Sequence, residues 1–260
     1  MKIDIRLIHA TVRTTVSYPS YWLTCLALII LWPGMAFFGQ SSVAYDQWQQ
    51  YYYDGSGFVG LFFPLFVTLL VQMPLLDEWS NTYFLPTRTR IGSWHYLRAK
   101  VFAVGLVAGA TMALLVVLAF VLAKVTFKPV NPQGLLDPPD LSRYQFGQLW
   151  EKSALAYIVV FALWVGIVAA SEAILAVVAA AIISNKLIAI AAPFLVLFVV
   201  NLIVQILGLE EFQLPPLRTN ITQQPMWMEL PGWFFIMLLG CLGLWQIRKS
   251  NYSTPGLVRS

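Results

Sequence analysis

Long apolar runs alternate with short polar segments along the 260 residues of this chain. The runs are continuous and lack the alternation of apolar and polar residues that a membrane β-strand has, so they predict helices. A bilayer core about 30 Å thick needs roughly 20 apolar residues for each helical span. Six runs fit this requirement, at about 21–38, 58–76, 101–123, 153–183, 187–207 and 232–247. The pattern predicts an all-α integral membrane protein with six transmembrane helices in a single transmembrane domain over 1–260.

The composition favours the same class of protein. Hydrophobic residues make up 59% of the chain and charged residues only 11%, with a mean hydropathy of +0.72. Soluble domains carry about 25% charged residues, and a water-soluble fold could not cover this much apolar surface. The fourth run, 153–183, has 31 residues and exceeds one bilayer thickness. We therefore expect it to tilt, to break or to project beyond the membrane.

The distribution of basic residues predicts the orientation of the chain. Eleven of the 16 lysines and arginines fall in the N-terminal segment, the 77–100 loop, the turn before the fifth run and the C-terminal tail. Cytoplasmic loops carry such an excess, so both termini and the 77–100 loop are predicted to be cytoplasmic. The loops 39–57 and 124–152 are then external. The net charge of +4 reflects this asymmetry, and we expect no nucleic-acid partner.

The segment 1–20 has the pattern of an amphipathic helix. Apolar residues recur in it at nearly helical spacing, at Ile5, Ile8, Val12 and Val16, with charged residues between them. Pro19 is expected to end this helix. We interpret the segment as an interfacial helix lying on the inner leaflet of the membrane. The alternative is a basic leader that serves only to set the topology.

Charge is concentrated between the second and third runs, in "DEWSNTYFLPTRTRIGSWHYLRAK" at 77–100. The order of residues predicts a helix leaving the membrane, a turn at Pro86, a basic patch and a second helix re-entering. A short surface element with both charge signs is suited to docking in a groove of a soluble partner. Ordinary positive-inside charge is the alternative, but it does not require the acids Asp77 and Glu78.

Several catalytic motifs are absent from the sequence. It contains no G-x-x-x-x-G-K-[ST] for nucleotide phosphates and no H-E-x-x-H for zinc. Both histidines, His9 and His95, lie in predicted cytoplasmic flanks, so an intramembrane hydrolase would lack its base. We expect the chain not to be an enzyme by itself, with no catalytic residue, no metal site and no cofactor of its own.

One charged residue, Glu172, falls inside an apolar run. A carboxylate at the bilayer centre costs at least about 2.5–3.5 kcal/mol, so such residues suggest function. We expect it to be protonated, to face a wet cavity or to contact Gln72 or Asn201. Glu172, Ser171 and Gln72 are candidate residues of a translocation path; a structural interhelical hydrogen bond, or a position nearer the interface, is the alternative. Small neighbours predict close helix packing: Ala169, Ala170, Ala173 and Ala176.

The 77–100 loop resembles that of the ABC-2-type permeases, the membrane half of ATP-binding cassette exporters. In that family an acidic residue follows the second span, and a threonine, leucine, proline, arginine and lysine follow before the third. The matching positions here are Glu78, Thr82, Leu85, Pro86, Arg90 and Lys100. The segment "SNKLIAIAAPFLVLFVVN" between the fourth and fifth runs is also similar to such permeases.

The resemblance implies a set of partners. Two copies of a soluble ATPase subunit, which hold ATP and Mg, would bind the chain, and a second permease subunit would complete a homodimer or heterodimer. The residues implied in ATPase coupling are Asp77, Glu78, Thr82, Pro86, Arg88 and Arg90. The implied activity is export of a hydrophobic or amphipathic peptide, drug or lipid-like molecule across a plasma membrane, in contact with membrane lipid and in a prokaryote.

Two other functions stay open from the sequence. The first external loop contains "YDQWQQYYYDGSG", which is typical of an aromatic belt at the membrane surface but also suits a lid over an exit path. A membrane immunity or sensor protein could bind a peptide there, at its outer face. An ion-coupled carrier could use Glu172.

Overall fold

A computed structural model describes residues 5–39, 52, 59–80, 93–126, 146–149, 152–209 and 229–249. Within these ranges the regular structure is helical, and no strand occurs. The α-helices are α1 (Ile5–Val16), α2 (Pro19–Gly39), α3 (Phe63–Ser80), α4 (Ser93–Thr126), α5 (Ala154–Ile182), α6 (Lys186–Ile206) and α7 (Glu229–Lys249). A 3₁₀ turn, Gly147–Leu149, precedes α5. The predicted all-helical class is confirmed for this part of the chain.

Four of these helices are long and apolar enough to cross a membrane: those over Trp94–Thr126, Ala154–Ile182, Lys186–Ile206 and Leu230–Lys249. A fifth span results if α1 and the first part of α2, which meet at a bend of 60°, are counted together. The chain is therefore suited to a membrane by the length and composition of its helices. Six separate spans and two cytoplasmic termini stay predictions.

Each predicted apolar run coincides with a helix. The lengths of α5 and α4 show in addition how the fourth and third runs continue. α5 is unbroken over 29 residues, about 44 Å at about 1.5 Å per residue, so the fourth run does not break. α4 has 34 residues, about 51 Å, and begins at Ser93, so the predicted re-entering helix and the apolar run from 101 form one continuous helix. Pro74 in α3 and Pro193 in α6 lie within helices, as expected for membrane spans.

α5 is the central helix of the bundle. It contacts α3, α4, α6 and α7. Its apolar side chains are fully buried on successive turns, among them Tyr157, Phe161, Val165 and Val168. Apolar residues at i, i+4, i+8 and i+11 share one helix face, so this spacing lets one side of α5 fill the core.

Glycines allow α4 and α5 to approach each other closely. A Cβ added at Gly109 would lie 2.8 Å from the backbone oxygen of Gly166, and one added at Gly166 would lie 2.9 Å from that of Gly109. Ala170 lies on the same contact, with its backbone oxygen 3.5 Å and its Cβ 3.8 Å from a Cβ built at Gly105. The close packing predicted around Ala170 is therefore present. Its partner is a G-x-x-x-G pair, Gly105 and Gly109, a motif that marks helix contacts in membranes.

Large apolar side chains also cover the outside of the bundle. Leu114, Leu155, Leu163, Leu187 and Ile206 are each at least 60% exposed. A soluble protein rarely exposes so much contiguous apolar surface, whereas lipid is a good solvent for it. The exposed apolar surface therefore supports a membrane environment.

The predicted external loops lie mostly outside the described residues, and Tyr52 is the exception in the first of them. Its ring is buried between Trp32 of α2 and Phe120 of α4, with centroids 6.2 and 6.1 Å away. At this position the aromatic loop contributes to the core of the bundle instead of to a surface belt.

Two glycine substitutions test the close contact between α4 and α5. Gly109→Ala forces its Cβ against a backbone oxygen, which cannot move aside like a flexible side chain. We expect it to lower the free energy of unfolding by about 1–3 kcal/mol, as overpacking does. Gly105→Ala is the control, because its Cβ would lie 3.5 Å from the nearest atom, an ordinary contact. Thermal unfolding in mild detergent measures both, and equal losses would contradict the close approach.

Candidate functional site

Asp77, in the last turn of α3, joins three separate segments of the chain. Its Oδ1 accepts a hydrogen bond from Lys186 Nζ of α6 at 2.6 Å, which is also an ion pair. Its Oδ2 accepts a hydrogen bond from the hydroxyl of Tyr18, between α1 and α2. We call Tyr18, Asp77 and Lys186 the Asp77 cluster. It holds the end of α3 against the start of α6 and the junction of α1 and α2.

Glu78, the next residue, makes the same kind of contact with α4. Its Oε2 lies 2.5 Å from Lys100 Nζ, and its Oε1 accepts a hydrogen bond from the hydroxyl of Tyr96. The Lys100 ammonium also lies 5.3 Å from the centre of the Tyr96 ring. We call Glu78, Tyr96 and Lys100 the Glu78 cluster. Consecutive acids on α3 thus reach different neighbours, because successive helical residues point about 100° apart.

The positions of the charges at the helix ends favour the ion pair between Asp77 and Lys186. Asp77 and Glu78 lie at the C-terminal end of α3, where the helix dipole disfavours a carboxylate. Lys186 is the first residue of α6, where the dipole disfavours a cation. An ion pair between Asp77 and Lys186 offsets both penalties at once.

The two clusters differ in their exposure to solvent. The side chains of Lys186 and Asp77 are 49% and 41% exposed, whereas those of Lys100 and Glu78 are 6% and 29% exposed. Solvent and salt screen the first pair, so it contributes little to stability. Burial of Lys100 makes the second pair necessary, because an unpaired ammonium would be costly there.

Hydrogen bonding within the Asp77 cluster also shifts two pKa values. The bond from Lys186, followed by the bond from Tyr18, holds the pKa of Asp77 below its ordinary value. The bond to Asp77 in turn raises the pKa of the Tyr18 hydroxyl. Both shifts favour the arrangement in which the carboxylate is ionised and the phenol keeps its proton.

The Glu78 cluster joins the two ends of the predicted coupling loop. Helix α3 occupies its beginning up to Ser80 and α4 its end from Ser93, and Glu78 contacts Tyr96 and Lys100 across this interval. Of the six predicted coupling residues, Asp77 and Glu78 are thus internally bonded at the base of the segment. The other four lie outside the described residues: Thr82, Pro86, Arg88 and Arg90.

A cleft of about 320 Å³ opens between α1, α3 and α4 beside these clusters. Its walls include Leu7 and Thr11 of α1, Pro74 of α3, and both carboxylates. Apolar and charged groups therefore line one concave surface, the mixed composition that protein–protein contacts use.

The candidate path residues Gln72 and Ser171 bridge helices separately. Gln72 is buried, and its Nε2 donates to the backbone oxygens of Ala176 in α5 and Ala189 in α6, both at 3.0 Å. Ser171 of α5 accepts a hydrogen bond from Trp233 Nε1 of α7 at 2.9 Å. These contacts are interhelical hydrogen bonds of the kind that stabilise membrane bundles.

Glu172 is 1% exposed, and neither of its carboxyl oxygens has a hydrogen-bond partner among the described residues. The expected contact with Gln72 or Asn201 does not form as a hydrogen bond. The Oε1 atom of Gln72 is likewise buried without a partner among these residues. Buried polar atoms are nearly always bonded, so both groups require an explanation. No hydrogen bond joins Glu172, Ser171 and Gln72 into one chain.

Sequence reasoning missed the tyrosine and lysine partners of the two acids. Tyr96 and Lys100 are four residues apart, so they share one face of a helix, and this spacing was a usable signal. Tyr18 and Lys186 are 59 and 109 residues from Asp77, and no local pattern connects them.

No family model, no curated protein and no solved structure matches this chain. The resemblance to ABC-2-type permeases therefore stays a prediction from the sequence.

Isosteric amides distinguish the two acids. We expect Glu78→Gln to lower the free energy of unfolding by about 2–4 kcal/mol, because the buried Lys100 loses its counter-charge. Asp77→Asn, the matched control, should cost about 1 kcal/mol or less, because its ion pair is exposed. Unfolding in mild detergent measures both variants. The double variant Glu78→Gln with Lys100→Met should recover much of the lost stability, because it removes the unpaired ammonium. Equal losses of stability for Glu78→Gln and Asp77→Asn would show that burial does not set the strength of these ion pairs.

Proposed function

We propose that the chain is the transmembrane permease subunit of an ATP-driven ABC exporter. It pairs with a separate ATPase subunit and moves a hydrophobic or amphipathic substrate, such as a peptide, a drug or a lipid-like molecule. The observation that carries the proposal is the Glu78 cluster, which bonds the end of α3 to the start of α4, the two helices on either side of the 81–92 segment. A docking element has to be joined firmly to the helices that it moves.

The helices suit the transmission of movement from this segment. α4 is about 51 Å long, and a bilayer core is about 30 Å thick, so its first turns can project toward a soluble partner. The same helix packs on the central helix α5 through Gly109 and Gly166. A push on the 81–92 segment would therefore reach the core of the bundle through one continuous helix.

The Asp77 cluster adds a second route. Through Lys186 it connects the same end of α3 to α6, and through Tyr18 to the junction of α1 and α2. An exposed ion pair of this kind breaks and forms at little cost, so it suits a contact that changes during a cycle. ATP-driven closure shifts the helices only if contact energies differ between the two states.

The partners follow from this role. Two soluble ATPase subunits supply ATP and Mg and bind at the 77–100 loop, where the proposed coupling residues beyond Asp77 and Glu78 are Thr82, Pro86, Arg88 and Arg90. A second permease subunit, identical or different, completes the transporter. The protein works in the plasma membrane of a prokaryote, with both termini and the 81–92 segment in the cytoplasm.

Loss of the Glu78 cluster should separate ATP hydrolysis from transport. Glu78→Ala is expected to keep the ATPase bound but to remove most of the transport per ATP hydrolysed, because the ion pair and hydrogen bond that join α3 to α4 are lost. Arg90→Glu should uncouple in the same way, through the docking surface itself. The measurement is substrate movement and ATP hydrolysis in proteoliposomes that contain the ATPase.

Lys152→Gln is the control for these variants, since it removes an exposed charge outside the two clusters. Both coupling variants should still insert in the membrane, and because Glu78→Ala leaves Lys100 without its counter-charge, transport and ATP hydrolysis are compared per folded complex. Transport at the normal rate in both of them would show that the coupling assignment is wrong.

Glu172 favours a second candidate, an ion-coupled carrier. A buried carboxyl group without a hydrogen-bond partner among the described residues is a feature of proton and ion pathways in membrane proteins. In that case the energy source would be an ion gradient and not ATP.

Glu172→Gln separates the two candidates. For the exporter, we expect the variant to keep both ATPase partnership and ATP-dependent transport, since an amide fills the same volume. For a carrier, transport would follow an imposed pH gradient in the unchanged protein and would be lost in the variant. Glu172→Leu should also leave ATPase association intact, and failure of that variant to fold would assign Glu172 a structural role.

A further inference from the structure

Basic and aromatic side chains of α4 and α7 meet at one end of the bundle. The ring of Trp94 in α4 lies 5.6 Å from the Arg248 guanidinium of α7 and 5.7 Å from that of Arg98. The next residue of α7, Lys249, has its ammonium 5.3 Å from the ring of Trp245, one turn earlier in the same helix. Arg248 and Lys249 are both exposed. We call Trp94, Trp245, Arg248 and Lys249 the basic–aromatic patch.

An apolar stripe on α7 leads directly to this patch. Four side chains along one face of the helix are between 51% and 59% exposed: Phe234, Leu238, Leu242 and Trp245. They are spaced by four, four and three residues, so they follow one another along the helix. From Phe234 to Trp245 the stripe is about 16 Å long, close to half of a bilayer core about 30 Å thick.

We propose that the basic–aromatic patch and the α7 stripe bind one anionic phospholipid. Its phosphate contacts Arg248 and Lys249, and an acyl chain lies along Phe234, Leu238 and Leu242. This site does not depend on the proposed exporter function, because it uses none of the residues of the Asp77 and Glu78 clusters.

The side chains of the basic–aromatic patch match the phosphate and the headgroup region of such a lipid. Guanidinium and ammonium groups are the side chains that bind phosphate, the first through a planar set of N–H donors. Indole rings such as Trp245 favour the level of the headgroups, where one side of the ring is apolar and the other wet. Basic pockets between membrane helices on the cytoplasmic side bind anionic headgroups.

Charge disfavours a second copy of the chain on this face. A symmetric dimer within one membrane brings equivalent residues of both copies to the same depth. Two patches would then place four or more cations close together, and like charges repel. An anionic lipid neutralises the patch and covers the apolar stripe at the same time, which a soluble anion cannot do.

The test compares two double variants of the full chain. Both are reconstituted in vesicles of equal parts phosphatidylglycerol and phosphatidylcholine, extracted in mild detergent, and examined by native mass spectrometry for bound phosphatidylglycerol. Removal of the patch cations, Arg248→Gln with Lys249→Gln, should weaken retention roughly fivefold for each cation. The matched control, Lys124→Gln with Lys152→Gln, removes two exposed cations elsewhere and should retain phosphatidylglycerol like the unchanged protein.

Three results would overturn the proposal. Equal phosphatidylglycerol retention by the patch variant and the control would show that these cations do not form a site. Displacement of the lipid by inorganic phosphate would assign the cations to a free anion. Loss of a dimer without loss of lipid would assign the face to a second copy. If the double variant aggregates, Lys249→Gln alone decides, with an expected loss of about fivefold.

Discussion

The ammonium of Lys100 is buried where α3 and α4 come together, and Glu78 supplies its counter-charge at 2.5 Å. A buried cation with no partner is among the costliest groups that a fold can hold, so α3 cannot part from α4 at this point without a large penalty. Tyr96 completes the contact by donating to the second carboxyl oxygen. The proposed route of coupling from α3 to α4 depends on this pair.

The two ion pairs at the C-terminal end of α3 differ in strength. The Glu78 cluster is largely buried, whereas the Asp77–Lys186 pair is exposed and screened. In the proposed coupling, the Glu78 pair would hold α3 and α4 together while the Asp77–Lys186 pair exchanges. The basic–aromatic patch at Arg248 lies at the start of α4 as well, since Arg248 contacts Trp94. Docking, coupling and lipid binding are thus proposed for one region that the same helices support.

The helices could be predicted from the sequence because lipid requires continuous apolar runs with internally bonded backbones. The first turns of α4 were predicted as well, as the second helix that re-enters the membrane, although Trp94 to Lys100 are too polar to belong to the apolar run itself. Gly105 and Gly109 stand in a visible motif, so that contact was predictable. The partners of Asp77 were not, because Tyr18 and Lys186 lie far away in the sequence and only the packed bundle brings them together. Glu172 was identified as unusual from its surroundings, but its lack of a hydrogen-bond partner among the described residues depends on the fold.

The most direct measurement is an affinity pull-down of the tagged full chain from its native membrane in mild detergent, with co-purifying proteins identified by mass spectrometry. One variant has residues 81–92 scrambled while Glu78, Tyr96 and Lys100 are kept, and a control has 129–140 scrambled instead. We expect a soluble ATPase with the unchanged chain and with the control, and its loss with the first variant. Recovery of the ATPase with all three, or with none while the chain stays folded, would contradict the claim that this segment is the docking element of an exporter.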